Sequence, residues 1–109
     1  MIIRYHREAH RELWAAVDRY DDEHPGIGYD FHEAVTAAES QISDYPDSGP
    51  LWPHIDPKLG VRRMVLAGPW PFALAYIVDP GRLVVIAVAH GRRKPGYWLP
   101  RLTNMSDLA

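Results

Sequence analysis

The stretch Leu-Val-Val-Ile-Ala-Val-Ala at residues 83–89 decides the fold, because seven apolar residues follow one another there without a charge. A run of this length and β-branched content is typical of a strand that is buried on both faces. The next stretch, His-Gly-Arg-Arg-Lys-Pro-Gly-Tyr-Trp at residues 90–98, brings cations and aromatic rings to the end of that strand. Such a group can bind a phosphate backbone or an acidic partner. We therefore place the candidate functional site there.

The composition predicts one folded domain and excludes several kinds of site. A chain of 109 residues, 47% hydrophobic and 24% charged, has the length and balance of a single domain spanning residues 1–109. Because it has no cysteine, it has no disulfide, no thiolate nucleophile and no cysteine-bound zinc. Its apolar runs are shorter than the roughly 20 residues of a membrane helix, and no export signal follows Met1. We predict a cytoplasmic protein that does not contact a membrane.

Charge is divided unevenly between the two parts of the chain. Residues 1–60 hold 5 Lys and Arg against 12 Asp and Glu, a net charge of −7. Residues 61–109 hold 7 against 2, a net charge of +5, which gives −2 for the whole chain. The basic second part predicts a working surface for an acidic protein segment or a nucleic acid.

Two amphipathic helices are predicted in the acidic part. Apolar residues recur at helical spacing over residues 6–23 and again over residues 29–44. The sequence Pro-Gly-Ile-Gly at residues 25–28 separates the two segments, and Pro46 ends the second. Because the link is so short, the helices should pack as an antiparallel hairpin.

Four strands complete the prediction. A short first strand is expected at residues 2–5, and three more at residues 61–67, 72–78 and 83–90, after an irregular proline-containing segment. Short turns between the last three favour antiparallel pairing. The predicted fold is α+β in the order β-α-α-β-β-β, with a helical hairpin on one face of a small, mainly antiparallel sheet. Residues 97–102 or a second chain must cover the other face, because alternate residues of the last strand are apolar on both sides.

Several short motifs follow one another along the chain. They are Ala-x-x-Glu-Leu at 9–13, Pro-Gly-Ile-Gly at 25–28, Ile-x-x-Tyr-Pro at 42–46, Val-Arg-Arg at 61–63 and His-x-Arg-Arg-x-Pro-x-Tyr-Trp at 90–98. In this order they resemble the RelE/ParE superfamily of toxins from bacterial type II toxin–antitoxin, or plasmid-stabilisation, modules. The resemblance implies the fold deduced above. It also implies a growth-inhibiting toxin that a cognate antitoxin neutralises by laying a helix and an extended segment across it.

The resemblance implies a different activity for each branch of the superfamily. RelE-like members are ribosome-dependent, metal-independent endoribonucleases that cut messenger RNA, whereas ParE-like members are linked to DNA gyrase. RelE-like members are similar in carrying an arginine on the middle strand, where this chain has Ala73. We therefore predict a ParE-like toxin that binds a macromolecular target, with DNA gyrase as the candidate. The alternatives are a RelE-like ribonuclease acting on ribosome-bound messenger RNA and an inactive family member that serves as a binding module.

The basic part of the chain supplies candidate site residues for either branch. RNA cleavage by a 2′-hydroxyl needs a base, a cation beside the developing negative charge and an acid for the leaving oxygen. Under the ribonuclease alternative the catalytic residues are Arg62, Arg63, His90, Arg93 and Tyr97. The residues expected to contact a target or the antitoxin are Arg62, Arg63, Arg92, Arg93, Lys94 and Trp98.

Structural roles for these residues remain open as well. Neighbours on a strand point to opposite faces, so at most one of Arg62 and Arg63 faces a given ligand, and the other is expected to pair with an acidic residue of the helices. His90 could be a hydrogen-bonded histidine at the rim of the core, and Trp98 an anchor for the tail. The sequence predicts no metal and no cofactor. A homodimer and a toxin–antitoxin hetero-oligomer are both open.

Overall fold

The chain folds in the predicted order, β-α-α-β-β-β, so the α+β fold is confirmed. The structure is a computed structural model that describes all of residues 1–109. The elements are β1 (Ile2–Tyr5), α1 (Arg7–Glu23), α2 (Ile27–Asp44), β2 (Arg62–Val65), β3 (Phe72–Asp79) and β4 (Arg82–His90). Two short 3₁₀ segments, Pro57–Leu59 and Leu99–Asn104, lie before β2 and after β4.

The sheet is mixed, and β4 lies inside it. The strand order is β1-β4-β3-β2, in which β2 pairs with β3 and β3 with β4 in antiparallel fashion, whereas β1 pairs with β4 in parallel. Since β1 follows β4 only as far as Val85, the second half of β4 has no strand on that side. This open stretch of backbone adjoins the candidate site.

A β-bulge in β4 changes the predicted assignment of side chains to faces. Ala75 pairs with Ala87 but Tyr76 pairs with Val85, which leaves Ile86 as an extra residue on β4. The extra residue shifts the alternation by one position. Val88 therefore packs with Leu83 and Val85 in the helix-side core, while Ala87 and Ala89 lie on the opposite face with Val84 and Ile86. Strict alternation along the strand, as expected from the sequence, is wrong beyond the bulge.

The second helix begins at Ile27, two residues before the predicted start, because α1 supplies its cap. The Asp21 carboxylate accepts hydrogen bonds from the backbone N–H groups of Gly26 (3.2 Å) and Gly28 (2.8 Å). Gly26 has a φ of +95°, a left-handed conformation that glycine adopts without strain. A carboxylate at the first turn satisfies unpaired N–H groups and complements the helix dipole.

Residues of this chain cover both faces of the sheet. The helices bury one face, where Phe31 packs edge-on against Phe72. The other face lies under the segment before β2 and the tail after β4, with Trp98 fully buried against Trp52 at a ring-centroid distance of 5.2 Å. The tail therefore covers the second face, which is the first of the two alternatives that the sequence left open.

The end of the tail is fastened beside β1. Leu108 forms an antiparallel bridge with His6, and the Arg7 side chain pairs with the Asp107 carboxylate at 2.8 Å. These contacts bring the chain's two ends together and close the apolar core on the second face of the sheet, which we call the second core. Neither helix combines the length and hydropathy needed to cross a bilayer.

Candidate functional site

A cleft of about 270 Å³ opens beside the ends of β2, β3 and β4, next to the turn at residues 91–97. Its aromatic walls come from Trp52, Trp70, Phe72, Tyr97 and Trp98. Its cationic and imidazole groups come from Arg63, His90, Arg93 and Lys94, and no acidic residue lines it. This combination favours a ligand that carries negative charge next to a flat or apolar group.

The two neighbouring arginines of β2 lie on opposite faces of the sheet, as strand geometry requires. Arg63 lines the cleft, where its guanidinium lies 5.5 Å from the centre of the Trp52 ring. Its buried Nε–H has no hydrogen-bond acceptor within the chain. A half-buried arginine without an acidic partner is a group that an anionic ligand would complete.

Arg62 lies outside the cleft and has a structural environment. Its guanidinium donates to the Gly49 carbonyl at 2.8 Å and lies 3.5 Å from the Asp47 carboxylate. The acidic partner is thus a loop residue just past α2, and the expectation of a partner within the helices is wrong. The structure brings Arg63, but not Arg62, together with the other candidate residues.

The turn after β4 is folded around His90. The ring Nδ1 accepts a hydrogen bond from the backbone N–H of Arg92 at 3.0 Å, and the ring packs edge-on against Phe72. The backbone N–H of Arg93 donates to the His90 carbonyl at 3.1 Å. The side chains of Arg92 and Lys94 are exposed, and only Lys94 of these two lines the cleft. His90 therefore shapes the turn as well as lining the cleft.

Glu12 of α1 organises the other side of the turn, although no pattern in the sequence singles it out for this role. Its carboxylate accepts hydrogen bonds from the Tyr97 hydroxyl (2.6 Å), from Arg93 (3.3 Å) and from two nitrogens of Arg101 (2.8 and 2.9 Å). It also accepts one from the backbone N–H of Val88 (3.1 Å). We call Glu12 and these four partners the Glu12 clamp. The partners follow Glu12 by 76 to 89 residues, so no local pattern could indicate them.

The Glu12 clamp raises the pKa of Tyr97. Burial raises the pKa of the Tyr97 hydroxyl, and the hydrogen bond and negative charge of Glu12 raise it further. Burial lowers the pKa of Arg101, but the hydrogen bonds and charge of Glu12 outweigh burial, so the net shift is upward. Tyr97 is therefore a neutral hydrogen-bond donor, and its proton is already directed at Glu12.

The cleft has groups that can bind a ligand, but it lacks the free cation and proton donor that a ribonuclease site would need at the middle strand and at Tyr97. Ala73 lies in its wall, so the middle strand supplies no cation there. Arg93 and Tyr97 are occupied by Glu12. Trp98, predicted to bind a partner or to anchor the tail, is fully buried in the second core.

The fold is similar to that of a solved structure. The chain superposes on a chain of the chromosomal ParDE TA system from P. aeruginosa with a TM-score of 0.68, covering 83% of this chain and 95% of that one at 21% identity. The fold is ParE-like. No protein-family model matches the sequence, and no curated protein matches it. The ParE-like fold brings the cleft, the 91–97 turn and the Glu12 clamp together at the end of β4.

Proposed function

We propose that this protein is the toxin component of a type II toxin–antitoxin module, ParE-like, which inhibits growth by binding a macromolecular target. The observation that carries the proposal is the likeness of the fold, over 83% of the chain, to a chain of a ParDE toxin–antitoxin system. A cognate antitoxin is the partner that holds such a toxin inactive. DNA gyrase is the target we favour.

The cleft supports a role in binding. Arg63 has no acidic partner, Lys94 is exposed, and the walls are aromatic. Cations beside aromatic rings form strong contacts with acidic side chains or phosphates, because the rings exclude water from the charged groups. No acidic side chain lines the cleft, so the charge that a partner meets there is positive.

The same geometry disfavours the ribonuclease alternative. A transition state with charge on phosphate oxygens needs a cation poised over it and a group ready to move a proton. Ala73 supplies no cation at the middle strand, and Tyr97 donates its proton to Glu12 at 2.6 Å. His90 is the remaining candidate for proton transfer, and its Nδ1 is already engaged with the turn.

The proposal is tested by controlled expression in a bacterial host. Induction should arrest growth, and co-expression of the small gene adjacent to the toxin gene should restore it. Normal growth with verified soluble protein would contradict toxicity and favour an inactive binding module.

The target is identified in a second experiment. Purified protein added to a gyrase supercoiling reaction should inhibit it, while transcripts from arrested cells should remain intact by primer extension. Cuts in phase with codons, together with unimpaired supercoiling, would replace the ParE-like function with the ribonuclease function.

A further inference from the structure

We propose that Glu12 is the positioning residue of the cleft, holding Arg93 and Tyr97 in the arrangement that the cleft presents to its ligand. The inference rests on the proposed function in one respect, that the cleft is the binding surface. The motif at residues 9–13 contains Glu12 but gives it no role. Its role follows from the contacts of its carboxylate.

The contacts of the Glu12 carboxylate with Val88 and Arg101 fix its position. Past Val85 the backbone of β4 has no neighbouring strand on the β1 side. The Ile86 carbonyl there accepts a hydrogen bond from Arg101 at 3.0 Å, and the Val88 N–H donates to Glu12 at 3.1 Å. The Glu12–Arg101 pair thus takes the place of a strand along this edge. The carboxylate is attached directly to the backbone of a buried strand.

The other contacts of the carboxylate reach the cleft. The Arg93 guanidinium lies 3.6 Å from the centre of the Tyr97 ring and 3.3 Å from the carboxylate, so it is held from two sides. Its side chain remains about half exposed. The Tyr97 hydroxyl donates to the same carboxylate oxygen. Both residues line the cleft, and both take their orientation from Glu12.

Glu12 also sets the charge around Arg93, which lines the cleft. Arg101 is buried against the carboxylate by two hydrogen bonds and is neutralised there. Arg93 shares the same negative charge through a longer and more exposed contact. Without the carboxylate, two guanidinium groups would be left without an acidic partner next to each other. The position of Arg93 and the charge around it therefore change together when Glu12 is altered.

Glu12→Gln tests the role, with Glu8→Gln as the matched control. A glutamine side chain at this position can still accept hydrogen bonds but carries no charge. Glu8 lies one turn earlier on the same helix, where it pairs with Arg11 on the surface and acts on Arg101 through its charge alone, without a hydrogen bond. Site-resolved NMR of the Tyr97 ring against pH is the first measurement, because it reports on this one hydroxyl while the other signals of the spectrum show whether the fold is intact. In Glu12→Gln the pKa of Tyr97 should fall, because two of its three raising causes involve Glu12, and burial should keep it above the ordinary tyrosine value.

The Glu8→Gln control should leave the Tyr97 titration and the Arg93 side-chain N–H signal at their wild-type positions. An unchanged Tyr97 titration in folded Glu12→Gln, or an equal change in Glu8→Gln, would overturn the proposal.

Should Glu12→Gln fail to fold, the variant Arg93→Gln tests the same arrangement without altering Glu12. Removing that guanidinium should shift the NMR signals of the Tyr97 ring, because it lies 3.6 Å from the centre of the ring. Unchanged Tyr97 signals in folded Arg93→Gln would then contradict the arrangement of Arg93 and Tyr97 in the Glu12 clamp.

Growth inhibition gives the second measurement. Glu12→Gln should lose growth arrest at an equal level of soluble protein, whereas Glu8→Gln should retain it. Retained arrest together with the expected NMR changes would overturn the functional part of the role. If the wild-type protein itself does not arrest growth, the proposed function fails, while the NMR titration still decides whether Glu12 positions Tyr97 and Arg93.

Discussion

At the scale of single residues, Glu12 and Arg101 form the least exposed ion pair of the molecule. Their side chains are 16% and 14% exposed and meet through two hydrogen bonds. Two charges withdrawn from water are stable only when each satisfies the other, and removal of one leaves the other buried without a partner. Arg101 lies near the end of the chain, in the Leu99–Asn104 segment, and so links the tail to the first helix.

Arg101→Met should therefore destabilise the fold by roughly 3–5 kcal/mol, because Glu12 would keep a buried charge without its main partner. Arg11→Met is the control, since Arg11 is 71% exposed and pairs with Glu8 at 3.3 Å on the surface. An exposed pair of this kind contributes at most about 1 kcal/mol. Chemical denaturation monitored by circular dichroism measures both. Equal, small losses for the two variants would show that the Glu12 clamp adds little to stability.

At the scale of elements, the helical hairpin depends on a close approach that only glycine permits. A Cβ atom added to Gly28 would lie 2.5 Å from the Val17 carbonyl oxygen and 2.7 Å from the Asp21 carboxylate. The first contact is with backbone, which cannot move aside as a flexible side chain would. Gly28 also donates its N–H to Asp21, so the same residue sets both the cap of α2 and its distance from α1.

Gly28→Ala should cost about 1–3 kcal/mol, since the helices must separate to admit the methyl group. Gly91→Ala is the matched control, because a Cβ atom there would meet only the Pro71 carbonyl at 3.5 Å, an ordinary contact. Thermal and chemical denaturation of the two variants should therefore differ clearly. A Gly28→Ala variant as stable as Gly91→Ala would mean that the hairpin is looser than the structure indicates.

The elements can be predicted from the sequence, whereas the contacts between distant elements cannot. Helix periodicity and turn residues depend on neighbours in sequence, so both helices and the last three strands lie within a few residues of their predicted bounds. The start of α2 differs because Asp21, in the preceding helix, caps it. The bulge at Ile86 escapes prediction because it arises from pairing with β3. The Glu12 clamp escapes it because the partners of Glu12 lie 76 to 89 residues away.

At the scale of the whole molecule, two cores and a tail make the fold complete without a partner. Trp98 and the residues after it cover the second face of the sheet, and Leu108 bridges to His6. The cationic cleft at the rim of the second core is the surface at which we propose that a partner binds.

Removal of residues 98–109 should expose the second face and cause aggregation, because loss of Trp98 and the apolar side chains of the tail leaves a β-strand surface in water. Removal of residues 106–109 alone should be tolerated better, since Trp98, Arg101 and Leu102 stay in place and only the contacts beside β1 are lost. Size-exclusion chromatography with light scattering compares the two chains. A monodisperse, folded chain ending at residue 97 would contradict the account of the second core.

The most direct test of the account measures growth after induction of the wild-type chain, Arg63→Gln and Arg62→Gln at equal soluble levels. The two arginines are neighbours on one strand, but only Arg63 lines the cleft, and Arg62 is occupied by Gly49 and Asp47. The account predicts that the wild-type chain and Arg62→Gln arrest growth and that cells expressing Arg63→Gln grow normally. Undiminished arrest by Arg63→Gln would show that the cleft does not carry the activity.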